Sequence, residues 1–190
     1  MPPKPKNVPR GTIPSTPPPT PHPPKNTTAE IEIIARAIIP HPSGYLLVCQ
    51  ALKPDGSPNY AYLPGGHVEF GETAAAAVSR ELMEETGRRV RVGGLLMVGE
   101  HRFRSRKRVH HEINLVFRAI LMGRGRERGR GLLGVESREE GIGFAWLGRD
   151  EFARADVRPG DMKSWVLENW DEVVLGEAGG VDLGLRSAGW

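Results

Sequence analysis

The chain has one cysteine among its 190 residues, so it cannot form an internal disulfide. That residue, Cys49, ends the apolar run Tyr45–Cys49 and reads as a small buried side chain. No stretch approaches 18 consecutive apolar residues, which excludes a membrane-spanning helix. The first residues hold no apolar run of the secretory kind, and their prolines exclude an amphipathic transit helix, leaving the cytoplasm as the expected location. Charge of one sign is also lacking. Lys and Arg number 26 against 23 Asp and Glu, a net charge of +3. So small an excess carries no nucleic-acid signature, which needs a local patch.

Proline is abundant but misplaced for a folded core. Of the 17 prolines, 11 lie in residues 1–24. Residues 1–28 are therefore expected to be a disordered proline-rich arm, since proline removes backbone donors and blocks helix and sheet ladders. Pairs such as Pro18 and Pro21 suit a proline-binding domain, and the same composition suits a solubilising spacer. Residues 176–190 are glycine-rich and read as a flexible tail, which leaves 29–175 as one domain.

That domain is organised around Gly66–Gly87, GHVEFGETAAAAVSRELMEETG, preceded by Leu63-Pro64-Gly65. The Pro-Gly pair ends a strand in a tight loop. From Thr73 to Thr86 there is no glycine or proline, so a helix is expected, with Thr73 as N-cap and Gly87 past its end. Ala74, Val78 and Leu82 form its apolar stripe, and Glu81 and Glu85 stand at the edge of that stripe. Glu84 joins Glu81 at a three-residue step, and Arg80 can orient Glu84 one turn on. Three carboxylates in two turns repel one another and lose hydration. A hard divalent cation would turn them into a site; the alternative is a solvated charged helix.

The order Gly66, five residues, Glu72, seven residues, Arg80-Glu81-Leu82-Met83-Glu84-Glu85-Thr86-Gly87 resembles the Nudix box. It departs from that box at one position, where Arg88 replaces an aliphatic residue. The resemblance implies an α/β fold, the Nudix α/β/α sandwich with a mixed sheet between helices. It also implies hydrolysis of a nucleoside diphosphate linked to another moiety, with Mg2+ or Mn2+. The implied metal ligands are Glu81, Glu84, Glu85 and the carbonyl of Gly65. Arg80 and Glu84 would be catalytic, with Arg80 holding a glutamate, and Glu72 would support the loop. Metal ions neutralise the diphosphate and lower the pKa of water, while the protein positions the groups.

Strands are expected over Glu30–Pro40, Gly44–Ala51, Tyr60–Leu63, His110–Met122 and Gly143–Leu147. Arg89–His101 reads as one or two strands broken at Gly93-Gly94, and Asp161–Leu175 as an amphipathic helix with Trp165 and Trp170 in the core. Arg36 interrupts an apolar strand and either faces a phosphate cleft or points outward. Glu69, in the box loop, is a further candidate substrate contact. Arg102 and Arg104 open the basic stretch to Arg108, which either attracts phosphates or is a solvated hairpin tip. A second basic segment, GRGRERGRG over 123–131, resembles RG-rich RNA-contacting segments or is a flexible inserted loop. His101, His110 and His111 invite a metal reading, but adjacent His110 and His111 point to opposite faces of a strand and no cysteine lies nearby, so zinc is not expected. Glu112 shares the face of His110 and is a candidate substrate or metal contact. By resemblance, Glu139 or Glu140, before the last strand, is a candidate general base.

No proline stands between Pro64 and Pro159, and no tyrosine follows Tyr62. The markers carried past the box by ADP-ribose- and dinucleoside-polyphosphate-cleaving relatives are thus missing, as is the proline-rich marker of NADH-cleaving members. What remains is a nucleoside triphosphate, a nucleotide sugar or another small nucleoside diphosphate derivative. The alternative is an RNA-end-processing or nucleotide-binding Nudix-fold protein using its arginines. A homodimer is an open alternative.

Overall fold

The computed structural model describes residues 30–104, 109–123, 127–128 and 132–175. The proline-rich arm, residues 105–108, most of the GRGRERGRG segment and the glycine-rich end lie outside the described residues.

The first two apolar runs form β1 (Ile31–Ile38) and β3 (Tyr45–Leu52), with the two-residue β2 (Pro40–His41) between them. Their turn closes with the Gly44 amide donating to the His41 carbonyl at 2.9 Å. Then come β4 (Pro58–Tyr62), β5 (Gly65–His67) and α1 (Ala74–Thr86). The long strands β6 (Val90–Arg104) and β7 (Val109–Leu121) follow, then the short pair β8 (Glu127–Arg128) and β9 (Leu132–Leu133). The last elements are β10 (Ile142–Leu147), α2 (Arg149–Arg154), α3 (Gly160–Glu168) and a π-helical turn over Asp171–Leu175.

Two sheets carry the fold. The first has the order β5-β1-β7-β6 and is mixed, because β1 runs parallel to β7 while the other pairs are antiparallel. In the second, β3 pairs antiparallel with β10, β2 and β4. Strand alternation sends neighbouring side chains to opposite faces. Ala35, Ala37, Ile39 and Leu47 pack with Val78 and Leu82 of α1. Ile38, Leu46, Val48 and Val116 pack with Phe152 of α2, Met162 and Val166 of α3, and Trp170. Strands apolar on both faces are the mark of a sheet covered on both sides, here an α/β/α sandwich.

Helix α1 begins and ends where its caps dictate. Thr73 accepts from the Ala76 amide at 3.1 Å, and Gly87 takes φ 67° while its amide reaches the Met83 carbonyl. Two expectations are corrected. Arg89–His101 is not broken: β6 runs through, and its register shifts between Val92 and Met97 absorb Gly93-Gly94 as a bulge. The closing helix is shorter than its periodicity suggests, because the chain turns at Asn169 and finishes as the π-helical turn. Helix α2 went unseen in the sequence, being six residues with one buried anchor, Phe152. Among the described residues, no helix is long and apolar enough to cross a membrane.

Candidate functional site

The site begins at a glycine pair. Gly65 adopts φ 124°, and a Cβ there would stand 2.1 Å from the Ala35 carbonyl oxygen, because β5 lies directly against β1. At Gly66 the obstacle differs: a Cβ would stand 2.4 Å from the carboxylate of Glu81. The first glycine lets the strands meet, and the second lets a carboxylate of α1 rest on the loop.

Arg80 ties loop to helix. Its Nη2 donates to Glu72 Oε1 at 2.8 Å and to the His67 carbonyl at 2.9 Å, and its Nε reaches Glu72 Oε2 at 3.2 Å. Nη1 donates to Glu81 at 3.0 Å and to Glu84 at 3.2 Å. Glu72 also accepts from the Glu69 amide at 2.9 Å, so one arginine and one glutamate lock the loop. The Glu72 hydrogen bond holds the Arg80 pKa above its ordinary value and the Glu72 pKa below its own. Arg80→Ala is expected to lower turnover by about 10- to 100-fold, the usual cost of losing a partner that orients metal ligands. Steady-state kinetics across a Mg2+ titration checks this, and the deficit should persist at saturating Mg2+.

Glu85 is the third acid and the least comfortable one. It is 5% exposed, and its Oε2 has no hydrogen-bond partner. Burial, then the charges of Glu139 and Glu81, push its carboxyl up to about 7. Glu139 comes near because the loop before β10 docks on the end of α1. There the Arg138 amide donates to the Glu85 carbonyl at 2.7 Å, and the Arg138 guanidinium occupies the space that a Cβ at Gly87 would need. The adjacent acid Glu140 is exposed, as is Glu69, whose backbone alone is engaged.

A cleft of about 810 Å³ opens at Arg36, walled by β1, β4, β6, β7 and residues 158–161 rather than by the box acids. Arg36, Arg102, Arg104 and Glu112 all line it. Arg36 does not point outward: it donates to Asn114 Oδ1 and to the Leu63 carbonyl, each at 3.1 Å, and stands 5.5 Å from the Tyr62 ring centre. Burial pulls its pKa down, opposed chiefly by Glu112. The sequence reading missed Tyr60, Tyr62, Arg158 and Asp161 on the same walls. The Arg158 guanidinium covers the Tyr60 ring at 4.4 Å, and Asp161 approaches His101 Nδ1 at 3.0 Å. Nothing local in the sequence marks these four, because residues 60 and 158 meet only through the bridge between Ala61 and Val157.

Glu81 and Glu84 on Arg80, and Glu85 with an unpaired buried oxygen, make an acid-rich patch on α1 that feels the charge of Glu139. All-oxygen donors of this kind suit a hard divalent ion, although among the described residues the ligand atoms of Glu81, Glu84 and Glu85 do not converge to within 4.8 Å of one another. The sequence profile of the NUDIX domain matches residues 33–166 of this chain. The fold is similar to that of a NUDIX hydrolase from Nitrosomonas europaea, with TM-score 0.57 and 21% identity over 84% of this chain and 97% of that one. It is also similar to the MutT protein of Methanosarcina mazei Go1, with TM-score 0.56 and 21% identity over 77% and 97%. The MutT NUDIX hydrolase of Burkholderia pseudomallei gives TM-score 0.55 and 22% identity over 73% and 97%. With its box, its sandwich and its domain profile in agreement over most of its length, the chain belongs to the Nudix family of hydrolases.

Proposed function

We propose that this hydrolase uses Mg2+, with Mn2+ as substitute, to cleave a small nucleoside diphosphate derivative: a nucleoside triphosphate, a nucleotide sugar or a similar compound. The observation that carries the reading is Glu85, a buried carboxylate with an unpaired oxygen and three further acids acting on it. Such a group is stable as an anion only beside a cation. Glu81, Glu84 and Glu85, with the Gly65 carbonyl, would hold the ion. When bound there, it would neutralise diphosphate charge and acidify the attacking water.

The chain's own residues supply the rest. Arg80 fixes Glu81 and Glu84 through Nη1. Glu139 is the proposed general base: it takes a proton from water as the new P–O bond forms, and the bridging P–O bond breaks with its electrons passing to the departing phosphate. Arg36, Arg102 and Arg104 face the cleft where phosphates would lie, and Tyr60 and Tyr62 offer aromatic wall to a nucleoside. The test is a panel of nucleoside triphosphates, nucleotide sugars and capped RNA incubated with Mg2+, with products identified by mass spectrometry. A nucleoside monophosphate plus the phosphorylated remainder is expected from a small derivative. Turnover of capped RNA alone would move the substrate to RNA ends, and no turnover of any compound with either ion would end the reading.

A further inference from the structure

A second group of ligating side chains lies on the first sheet, across strands β1, β7 and β5. Glu32 of β1 is the register partner of Glu112 of β7, so two half-buried carboxylates stand side by side on adjacent strands. His110, two residues before Glu112 on the same face, brings Nδ1 to 3.1 Å from Glu32 Oε2. One ligand atom from each of Glu32, His110 and Glu112 lies within 4.8 Å of the others. Among the described residues this is the one such trio; the box glutamates do not form another. His67 of β5 approaches Glu32 at 3.5 Å as a fourth donor.

The donors are also held in place. The His110 ring stacks on Phe103 with centroids 4.5 Å apart and planes 5° from parallel. Asn114, fully buried, gives its oxygen to Arg36 and its Nδ2 to Glu112 Oε2 at 3.2 Å, which fixes the amide and orients the carboxylate. Such outer partners are what a metal site needs around its ligands.

We infer that Glu32, His110 and Glu112, with His67, form a binding site for a first-row transition-metal dication of the Zn2+ type. Tetrahedral coordination at about 2.1 Å places ligand atoms about 3.4 Å apart. The His110–Glu32 pair at 3.1 Å is already there, and the third atom lies within 4.8 Å of both. Imidazole with two carboxylates favours a transition metal over Mg2+, which prefers oxygen and keeps its waters. The site therefore differs in donor chemistry from the all-oxygen set of the box, although Glu112 also lines the cleft. No zinc is expected from the sequence, because the ligands come together only through strand register; His111 itself turns away to Glu100 at 2.9 Å.

The test uses the full chain in excess Mg2+, titrated with Zn2+ against a chromophoric chelator. One tightly bound equivalent is expected. Glu32→Gln and His110→Asn should each weaken it at least tenfold, while Glu85→Gln leaves it unchanged. Wild-type protein supplies an independent reading, free of any folding defect: the His110 ring resonances should shift on adding Zn2+ and broaden or move strongly with Co2+. The inference is overturned if Zn2+ affinity ignores both variants, if Glu85→Gln alone removes the equivalent, or if the His110 resonances stay unmoved.

Discussion

Glu85→Gln is expected to cut Mg2+-dependent turnover by about 10²- to 10³-fold or more, while making the metal-free protein harder to unfold at pH 8. The first effect follows from losing an anionic ligand whose charge stabilisation is worth several kcal/mol, at about 1.4 kcal/mol per factor of ten. The second follows from where Glu85 sits. Its carboxyl titrates at about 7 in the folded chain, raised by burial and then by Glu139. In the unfolded chain it titrates near the ordinary value of about 4.3. Between those two values the folded state holds a proton that the unfolded state has released. Stability from this group is therefore complete below about pH 4.3 and is lost as pH rises through 7, by up to about 4 kcal/mol. Glutamine has no such charge to bury, so the variant keeps that stability. Added Mg2+ should reverse the ranking above pH 7, because it binds the ionised carboxylate and stabilises only the wild type by mass action. Thermal melts from pH 5 to 8, with Mg2+ and with chelator, read both effects. Parallel melts of the two proteins in chelator at every pH, or retained turnover, would refute the burial argument.

Gly65→Ala and Gly66→Ala should fail in different ways although the residues are neighbours. At Gly65 the added carbon meets backbone, the Ala35 carbonyl at 2.1 Å, in a conformation of φ 124° that L side chains rarely adopt. Neither atom can step aside without parting β5 from β1, so a loss of about 3–5 kcal/mol is expected from strain and overlap together. At Gly66 the added carbon meets the far end of a side chain, the Glu81 carboxylate. That carboxylate can swing away, so stability should change by less than about 1 kcal/mol. Turnover should nonetheless fall by about 10²-fold, because Glu81 leaves the place that the loop and Arg80 define. Urea denaturation alongside kinetics separates the two. Equal destabilisation would show that the glycine pair serves the turn alone.

Much of this was open to reading along the chain because its causes are local. The cap at Thr73, the left-handed Gly87 and the clustering of Glu81, Glu84 and Glu85 on α1 depend on residues within a turn or two of each other. The same holds for Arg80, whose reach to Glu84 is one helical turn, and for Glu72, placed by the box spacing. The break expected at Gly93-Gly94 failed because pairing with β7 on both sides carries the strand across it. Helix α2 stayed hidden because its single anchor, Phe152, acquires meaning only against Trp170, 5.6 Å away.

The sequence by itself determined the acidic helix and its glycine loop, since periodicity and spacing are properties of neighbouring residues, while the sandwich was implied by the resemblance of that stretch to the Nudix box. Only the tertiary structure decided that Arg36 faces inward onto Asn114, that the loop carrying Arg138 docks on the end of α1 at Glu85, and that Tyr60 meets Arg158. It alone set Glu32 beside Glu112 and His110. Each of these pairings spans about fifty residues or more of chain, and contacts so distant are fixed by strand register and loop docking, which no short window of sequence encodes.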